Sequence, residues 1–194
     1  MCHRTRTRDA RQICTVFADI YDMVRGILLG VVLTVVSIAL GAYLFIVTGG
    51  VPVSTGANPL PFEAAVARLA LHAGERKAGT ESNPLPATDQ NFEAGARSYS
   101  QSCAICHGLP RARPTAIAAG MFPRPPQLFT PDDMVTDDPE GVTYWKVTNG
   151  IRLSGMPAFG KALADAERWQ LTMLLKNADH LPPAVDGVLT ASTN

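Results

Sequence analysis

Cys103-Ala104-Ile105-Cys106-His107 is the most informative stretch of this chain. Two thiols at Cys-x-x-Cys spacing can both reach the vinyl groups along one edge of a porphyrin, and the imidazole that follows them can ligate its iron. A redox-active thiol pair does not need the following histidine, and a zinc site would need a second ligand pair that the sequence lacks. We therefore expect one covalent haem c, attached through Cys103 and Cys106, with His107 as an axial ligand.

N-terminal to this motif, the chain predicts a membrane anchor. The run from Ile27 to Val47 contains no charged residue and is long enough to cross a bilayer core of about 30 Å as one helix. After it, the next Lys or Arg is Arg68, whereas arginines are frequent before it: Arg4, Arg6, Arg8, Arg11 and Arg25. By the positive-inside rule, the N-terminus lies in the cytoplasm and the haem motif lies on the periplasmic side of a bacterial inner membrane.

A cleavable signal peptide is the alternative to an uncleaved anchor. Ala39-Leu40-Gly41 is a tolerable cleavage site, but the apolar run continues beyond it, and the apolar core of a signal peptide is usually about 7 to 15 residues long. We favour the anchor. With it, Cys2 and Cys14 lie on the cytoplasmic side, where thiols stay reduced. Both alternatives export the haem motif.

Composition divides the chain into five parts. Its 17 basic and 17 acidic residues give a formal net charge of zero, which does not suggest a nucleic-acid partner. The predicted parts are a basic cytoplasmic lead (1–26), the transmembrane anchor (27–47), a connector (48–88), the haem domain (89–181) and a flexible tail (182–194).

The connector contains a predicted amphipathic helix over residues 62–77. Phe62, Val66, Leu69 and Ala73 recur there at helical spacing. Such a helix would pack on the haem domain, lie along the membrane surface or dock a partner protein. His72 lies on it, and we expect this histidine to be solvated or structural rather than a haem ligand.

A low-spin electron carrier needs a second axial ligand, and Met156 is the strongest candidate. Gly155 before it lets the backbone approach a flat ligand, and Pro157 after it stiffens the loop. Met121, which precedes a stiff Pro-rich segment, comes next. The weaker candidates are Met134, Met173 and His180. Four further residues are candidates for a haem-propionate contact or for the haem wall: Arg124, Arg152, Tyr144 and Trp145.

In order and spacing, several motifs resemble those of the class I c-type cytochromes over about residues 89–180. They are Gly95 and Tyr99 before Cys-Ala-Ile-Cys-His-Gly, then Met-Phe-Pro-Arg-Pro-Pro-Gln-Leu, Tyr144-Trp145, Gly-Met-Pro-Ala-Phe and Trp169. The resemblance implies an all-α fold around one covalent haem, here preceded by a single transmembrane helix. It also implies that the first and last helices of the domain cross, with Gly95 and Tyr99 meeting the Trp169 face. One departure is Ala164, where a Ser or Thr cap often stands.

These observations predict an electron carrier rather than an enzyme, because two axial protein ligands leave the iron no open position for a substrate. We expect a membrane-anchored periplasmic cytochrome that passes single electrons between respiratory or dehydrogenase components, with redox proteins as its partners. One alternative is a permanent haem subunit of a larger membrane oxidoreductase. Another is a haem enzyme or gas sensor, which would require iron that Met156 does not ligate.

Overall fold

The computed structural model describes residues 8–76, 78–130 and 135–191, and all regular secondary structure within them is helical. This confirms the predicted all-α fold class. The chain divides into two compact units, one that ends at Pro52 and one that begins at Val53. The helices of the described ranges are α1 (Arg8–Val47), α2 (Glu63–Glu75), α3 (Asp89–Ser102), α4 (Ala104–His107), α5 (Ala116–Gly120), α6 (Glu140–Asn149), α7 (Asp165–Lys176) and α8 (Pro183–Ala191).

In the first unit, α1 is a 40-residue helix. At about 1.5 Å per residue it measures about 60 Å, which is twice the thickness of a bilayer core. Its segment Thr15–Val47 is long and apolar enough to cross a membrane. The hydroxyl of Thr34 donates to the carbonyl of Gly30, so this polar group is satisfied within the helix, as lipid requires. The helix fits membrane anchoring, and it includes the predicted lead from Arg8 onward.

In the second unit, α3 and α7 cross where α3 carries Gly95. A Cβ at this position would lie 2.3 Å from the carbonyl oxygen of Gln170, so a side chain there would push the helices apart. Tyr99 and Leu174 are fully buried beside the crossing. The crossing is therefore present as the resemblance implied. Tyr99, however, meets the ring of Phe129 edge-on, 5.2 Å between centroids.

The start of α7 shows how a helix begins without a capping side chain. Ala164 occupies the N-cap position and has no side-chain acceptor. Glu167 accepts a hydrogen bond from the backbone N–H of Ala164 at 2.8 Å, which is one half of a capping box. At α3, by contrast, the Thr88 hydroxyl accepts from the N–H of Asn91. Helix α7 thus begins at Asp165 although Ala164 provides no capping side chain.

The described part of the predicted flexible tail over 182–194 contains a helix. Pro183 is the first residue of α8, a position that suits proline because the first-turn N–H groups have no helical partner. Val185 and Leu189, four residues apart on one face of α8, are fully buried in the hydrophobic core of the second unit. Their burial explains why the chain stays ordered beyond the two prolines. Residues 192–194 lie outside the described ranges.

The connector belongs to the same compact unit as the predicted haem domain, so contacts cross the predicted boundary at 88/89. Asn83 donates through its side chain to the carbonyl of Trp169 at 2.9 Å, and its N–H donates to Glu140. A Cβ at Gly141 would lie 2.0 Å from the carbonyl oxygen of Ala78, so the connector backbone is in direct contact with α6. The domain therefore includes residues well before Asp89.

Candidate cofactor site

A cavity of about 390 Å³ lies in the second unit. This volume falls within the range of about 300–1,000 Å³ that is typical of ligand and cofactor sites. Cys103, Cys106, His107 and Met156 all line it. Most of its wall is apolar, with contributions from Leu128, Val135, Val147, Ile151, Phe159, Leu171 and Leu175. Two thiols, an imidazole and a thioether around an apolar cavity fit a covalently attached, flat, apolar macrocycle with an iron at its centre.

Helix α4 carries the Cys-x-x-Cys-His motif as a single turn that the Pro-rich segment braces. The N–H of Leu128 donates to the carbonyl of His107, and the side-chain amide of Gln127 donates to the carbonyl of Cys106. Gly108 ends the turn with a φ of 73°, and a Cβ there would lie 2.4 Å from the side-chain oxygen of Gln127. Glycine is thus required at this position for both conformation and space.

Buried Tyr99 adds a second support to the same turn. Its hydroxyl donates to the carbonyl of Gly108 at 2.7 Å. Burial, reinforced by the nearby Cys103, raises the pKa of the Tyr99 hydroxyl, so it stays a neutral donor. Tyr99 thereby connects α3 to Gly108, which follows the predicted iron ligand His107.

The imidazole of His107 is oriented by a backbone carbonyl. Its Nδ1 lies 2.9 Å from the carbonyl oxygen of Pro126. Because a carbonyl can only accept, Nδ1 carries the proton and Nε2 keeps its lone pair for a ligand bond. Burial lowers the pKa of His107, against the opposing effect of the Pro126 hydrogen bond. The ring is therefore neutral near pH 7, as a metal ligand must be.

Cys103 and Cys106 are free thiols, and both are half-buried. Burial, with the neighbouring Cys106, raises the pKa of Cys103 to about 12. The Cys103 thiol is therefore protonated and unreactive as a nucleophile at neutral pH. Their place in the cavity lining leaves both sulfur atoms available for bonds to a group bound inside it.

Met156 lies in a loop whose backbone is held on both sides of the residue. Its carbonyl accepts from the N–H of Ile151 at 3.2 Å, and its own N–H donates to the hydroxyl of Ser154 at 3.3 Å. Gly155 has a φ of 81°, and a Cβ there would lie 2.8 Å from the terminal methyl of Met121. The absence of a side chain at Gly155 thus leaves room for the Met121 side chain, and no local sequence pattern indicated this contact.

The other candidate axial ligands differ in their position relative to the cavity. Met121 lines the cavity together with Met156. Met173 is buried in the core on α7, and His180 is exposed and paired with Asp179 at 2.8 Å. His72 is also exposed and lies 3.0 Å from Glu75. Neither Met173, His180 nor His72 is among the residues that line the cavity. Met134 lies outside the described residues.

Of the four candidates for a propionate contact or the haem wall, the cavity lining includes Arg124 alone. Arg152 is exposed outside the lining. Tyr144 stacks on Trp169 with ring centroids 4.0 Å apart and bonds Asp165, which turns it away from the cavity. Trp145 packs against Gly74 of α2. Tyr144 and Trp145 therefore pack between helices and do not form the wall of the cavity.

Among the cavity-lining residues that sequence reasoning did not place at the site are Leu71, Lys146 and Asp138. Lys146 lies 2.8 Å from Asp138 and 3.1 Å from Glu75, which is buried. The second contact is a close ion pair without hydrogen-bond geometry. Burial alone would lower the pKa of Lys146, but the two carboxylates outweigh it and raise the pKa. These contacts depend on how α2 packs against α6, and no local sequence pattern indicates this packing.

A small helical domain in which a Cys-x-x-Cys-His turn and a methionine loop face one apolar cavity defines a c-type cytochrome. The family model described as cytochrome C oxidase, cbb3-type, subunit III matches residues 90–173. The match supports a monohaem c-type cytochrome domain over these residues, and the apolar N-terminal helix of the chain fits membrane anchoring.

A solved structure with a similar chain is the reducing HAO-like protein complex of Kuenenia stuttgartiensis. The two sequences are 27% identical, and the TM-score is 0.42. The match covers 49% of this chain and 46% of that one, so this chain spans less than half the length of its structural relative. No curated protein matches the chain.

Proposed function

We propose that this chain is a membrane-anchored periplasmic cytochrome with one covalent haem, which carries single electrons between respiratory or dehydrogenase components. The observation that carries the proposal is that Cys103, Cys106, His107 and Met156 line one apolar cavity. The positive N-terminal side of α1 supports a periplasmic position for the second unit, because arginines concentrate before the apolar run.

Each of these residues has a distinct role. Cys103 and Cys106 would attach the cofactor, His107 would ligate the iron through Nε2, and Met156 would ligate it through sulfur. When bound, the haem supplies a one-electron iron couple, whose potential a Met ligand raises relative to bis-His ligation. The Pro126 carbonyl and the Ile151 and Ser154 contacts hold both ligands in place, so little reorganisation accompanies electron transfer.

Exposed apolar side chains around the motif offer the surface for brief contact with redox partners. We define the apolar rim as Ile105, Ile117, Phe122 and Leu153, all of which are exposed. The hydroxyl of Thr115 bonds the carbonyl of Ile105, which joins α5 to the motif. Scattered apolar residues of this kind suit a small, transient interface.

The test compares the two methionines of the cavity. Met156→Ala should abolish the weak far-red band of thioether-ligated ferric haem, produce high-spin features and lower the midpoint potential, because a soft ligand that favours ferrous iron is lost. Met121→Ala is the matched control and should keep the band. Absorption spectra and potentiometric titration of the purified holoprotein measure both. Loss of the band in Met121→Ala alone would transfer the ligand role to Met121. Absence of the band from the wild-type protein, together with high-spin features, would contradict the carrier function.

The second candidate is a permanent haem subunit of a larger membrane oxidoreductase. It is favoured by the description of the matched family as an oxidase subunit. Purification from native membranes separates the two functions, because stoichiometric co-purifying subunits would reject the free carrier.

A further inference from the structure

Helix α2 carries exposed apolar side chains on one face. Phe62, immediately before the helix, is 80% exposed, Val66 is 64% exposed and Leu69 is 73% exposed. With Ala73 they follow the i, i+4, i+7, i+11 spacing that places residues on a single side of a helix. We call these four residues the α2 stripe. Apolar side chains that stay exposed as a contiguous row mark a surface that another body covers.

The opposite face of α2 already has its partner. Leu71 lines the cofactor cavity, and a Cβ at Gly74 would lie 3.2 Å from the ring of Trp145. Glu75 is buried and pairs with Lys146. These contacts fix the rotation of α2 about its own axis, so the stripe cannot turn inward without breaking them. It must be covered by something other than the domain to which α2 belongs.

The segment between α1 and α2 indicates what covers the α2 stripe. The apolar segment of α1 ends at Val47, and residues 48–62 contain no charged side chain. At no more than about 3.6 Å per residue, the segment 48–61 reaches at most about 50 Å, which sets an upper limit on the distance between α2 and the point where the chain leaves the bilayer. Val53 within this segment is 94% exposed. An uncharged tether followed by an apolar stripe suits the interfacial region of a membrane.

The basic side chains of α2 agree with this partner. Arg76 lies one turn beyond Ala73, near the edge of the stripe, and Arg68 is exposed on the same helix. Long arginine side chains beside an apolar face reach anionic lipid headgroups. The exposed carboxylate of Glu63 accepts a hydrogen bond from the N–H of Leu60 at 2.8 Å, in the turn that precedes the helix.

We propose that the α2 stripe lies in the headgroup region of the bilayer in which α1 is anchored, so that the helix holds the haem domain against the membrane surface. This inference rests on the membrane anchoring in the proposed function. Because Leu71 and Glu75 connect the same helix to the cavity, membrane contact would fix the orientation of the cavity relative to the bilayer.

The experiment uses the full-length holoprotein in nanodiscs that contain anionic lipid and a lipid-borne carbene photolabel. Labelled residues are mapped by mass spectrometry. We expect label in α1 and also at Phe62, Val66 or Leu69, whereas exposed Leu153 should carry several-fold less. Leu69→Asp should reduce labelling of the stripe several-fold, because a carboxylate is excluded from the interface. The matched control is Ala67→Asp, which adds the same charge to an exposed position off the stripe.

The outcomes separate the two proposals. Label in α1 without label in the stripe would overturn this inference and leave the anchor intact, whereas absence of label from α1 would contradict the anchoring itself. Equal loss of label in both variants would also overturn the inference. A stripe unlabelled in native membranes but labelled in pure lipid would assign it to a protein partner instead. The visible spectrum of each variant shows that the haem domain is folded.

Discussion

The side chain of Lys146 links the position of α2 to the structure of the cavity. Its ammonium joins Glu75 of α2 to Asp138, which precedes α6. Glu75 is only 8% exposed, so its carboxylate depends on this cation more than a surface carboxylate would.

Removal of the cation should therefore destabilise the domain. Lys146→Met should lower the free energy of unfolding by about 1–3 kcal/mol, because the buried Glu75 carboxylate is left without its partner. Glu75→Gln in the same background should restore much of the loss. The matched control is Arg97→Met, which breaks the exposed pair with Glu93 and should cost less than about 1 kcal/mol. Denaturant unfolding followed by tryptophan fluorescence measures all three, because both tryptophans lie in the second unit. Equal losses for Lys146→Met and Arg97→Met would contradict this role.

The same pair has a defined dependence on pH. A lysine whose pKa is raised by folding contributes stability that is fully present below the unfolded value of about 10.4 and is lost as pH rises through the higher folded value. The stability difference between wild type and Lys146→Met should therefore be constant from pH 7 to about 10 and shrink above it. A difference that shrank between pH 7 and 9 would show that another group titrates.

At the scale of elements, the α3–α7 crossing makes Gly95 irreplaceable. Gly95→Ala should destabilise the domain by about 1–3 kcal/mol, because the new methyl group lies 2.3 Å from the Gln170 carbonyl oxygen and neither backbone can easily move. The intrinsic helix preference for Ala over Gly, about 1 kcal/mol, is too small to compensate. Gly187→Ala in α8 is the control, since a Cβ there meets nothing within 4 Å. It should be neutral or stabilising. Destabilisation of the same size in both would mean that close packing is not the cause.

Elements that begin with local chemistry could be predicted from the sequence, and those that depend on distant contacts could not. The start of α3 follows from polar residues at its cap, and the single turn of α4 from the motif it carries. Helix α8 was missed because Pro182-Pro183 ordinarily ends a helix, and only the burial of Val185 and Leu189 against the core keeps the chain ordered there.

The same distinction holds at the cofactor site. The chemistry of Cys103, Cys106 and His107 is set by their spacing in sequence, and Met156 by its loop, so these residues could be nominated without a structure. Lys146 could not, because it lies in the cavity lining only through the packing of α2 on α6. The periodicity of α2 showed an apolar face, but the face that packs on the domain is the other one, built on Leu71 and Gly74. Glycine leaves no hydrophobic signal.

At the scale of the whole molecule, the four cysteines of the chain report its topology. In the proposed holoprotein, Cys103 and Cys106 are consumed in thioether bonds, so the reactive thiols are Cys2 and Cys14, before the apolar segment. A membrane-impermeant maleimide should leave the protein unlabelled in intact spheroplasts and label it after lysis, because the proposed orientation places both thiols in the cytoplasm. Thr55→Cys, in the exposed connector, should be labelled without lysis and serves as the positive control.

Mass spectrometry of the labelled chain distinguishes the ways in which this prediction can be contradicted. Label at Cys2 or Cys14 in intact spheroplasts would reverse the orientation of α1, and with it the periplasmic location. Label at Cys103 or Cys106 would show that the thioether bonds are absent. A mature chain that begins after Gly41 would show that the apolar run is a cleaved signal peptide and not an anchor. The second unit would then be released from the membrane unless the α2 stripe retains it. Salt and detergent extraction of such a chain would distinguish release from retention, because detergent disrupts membrane binding through an apolar stripe and salt does not.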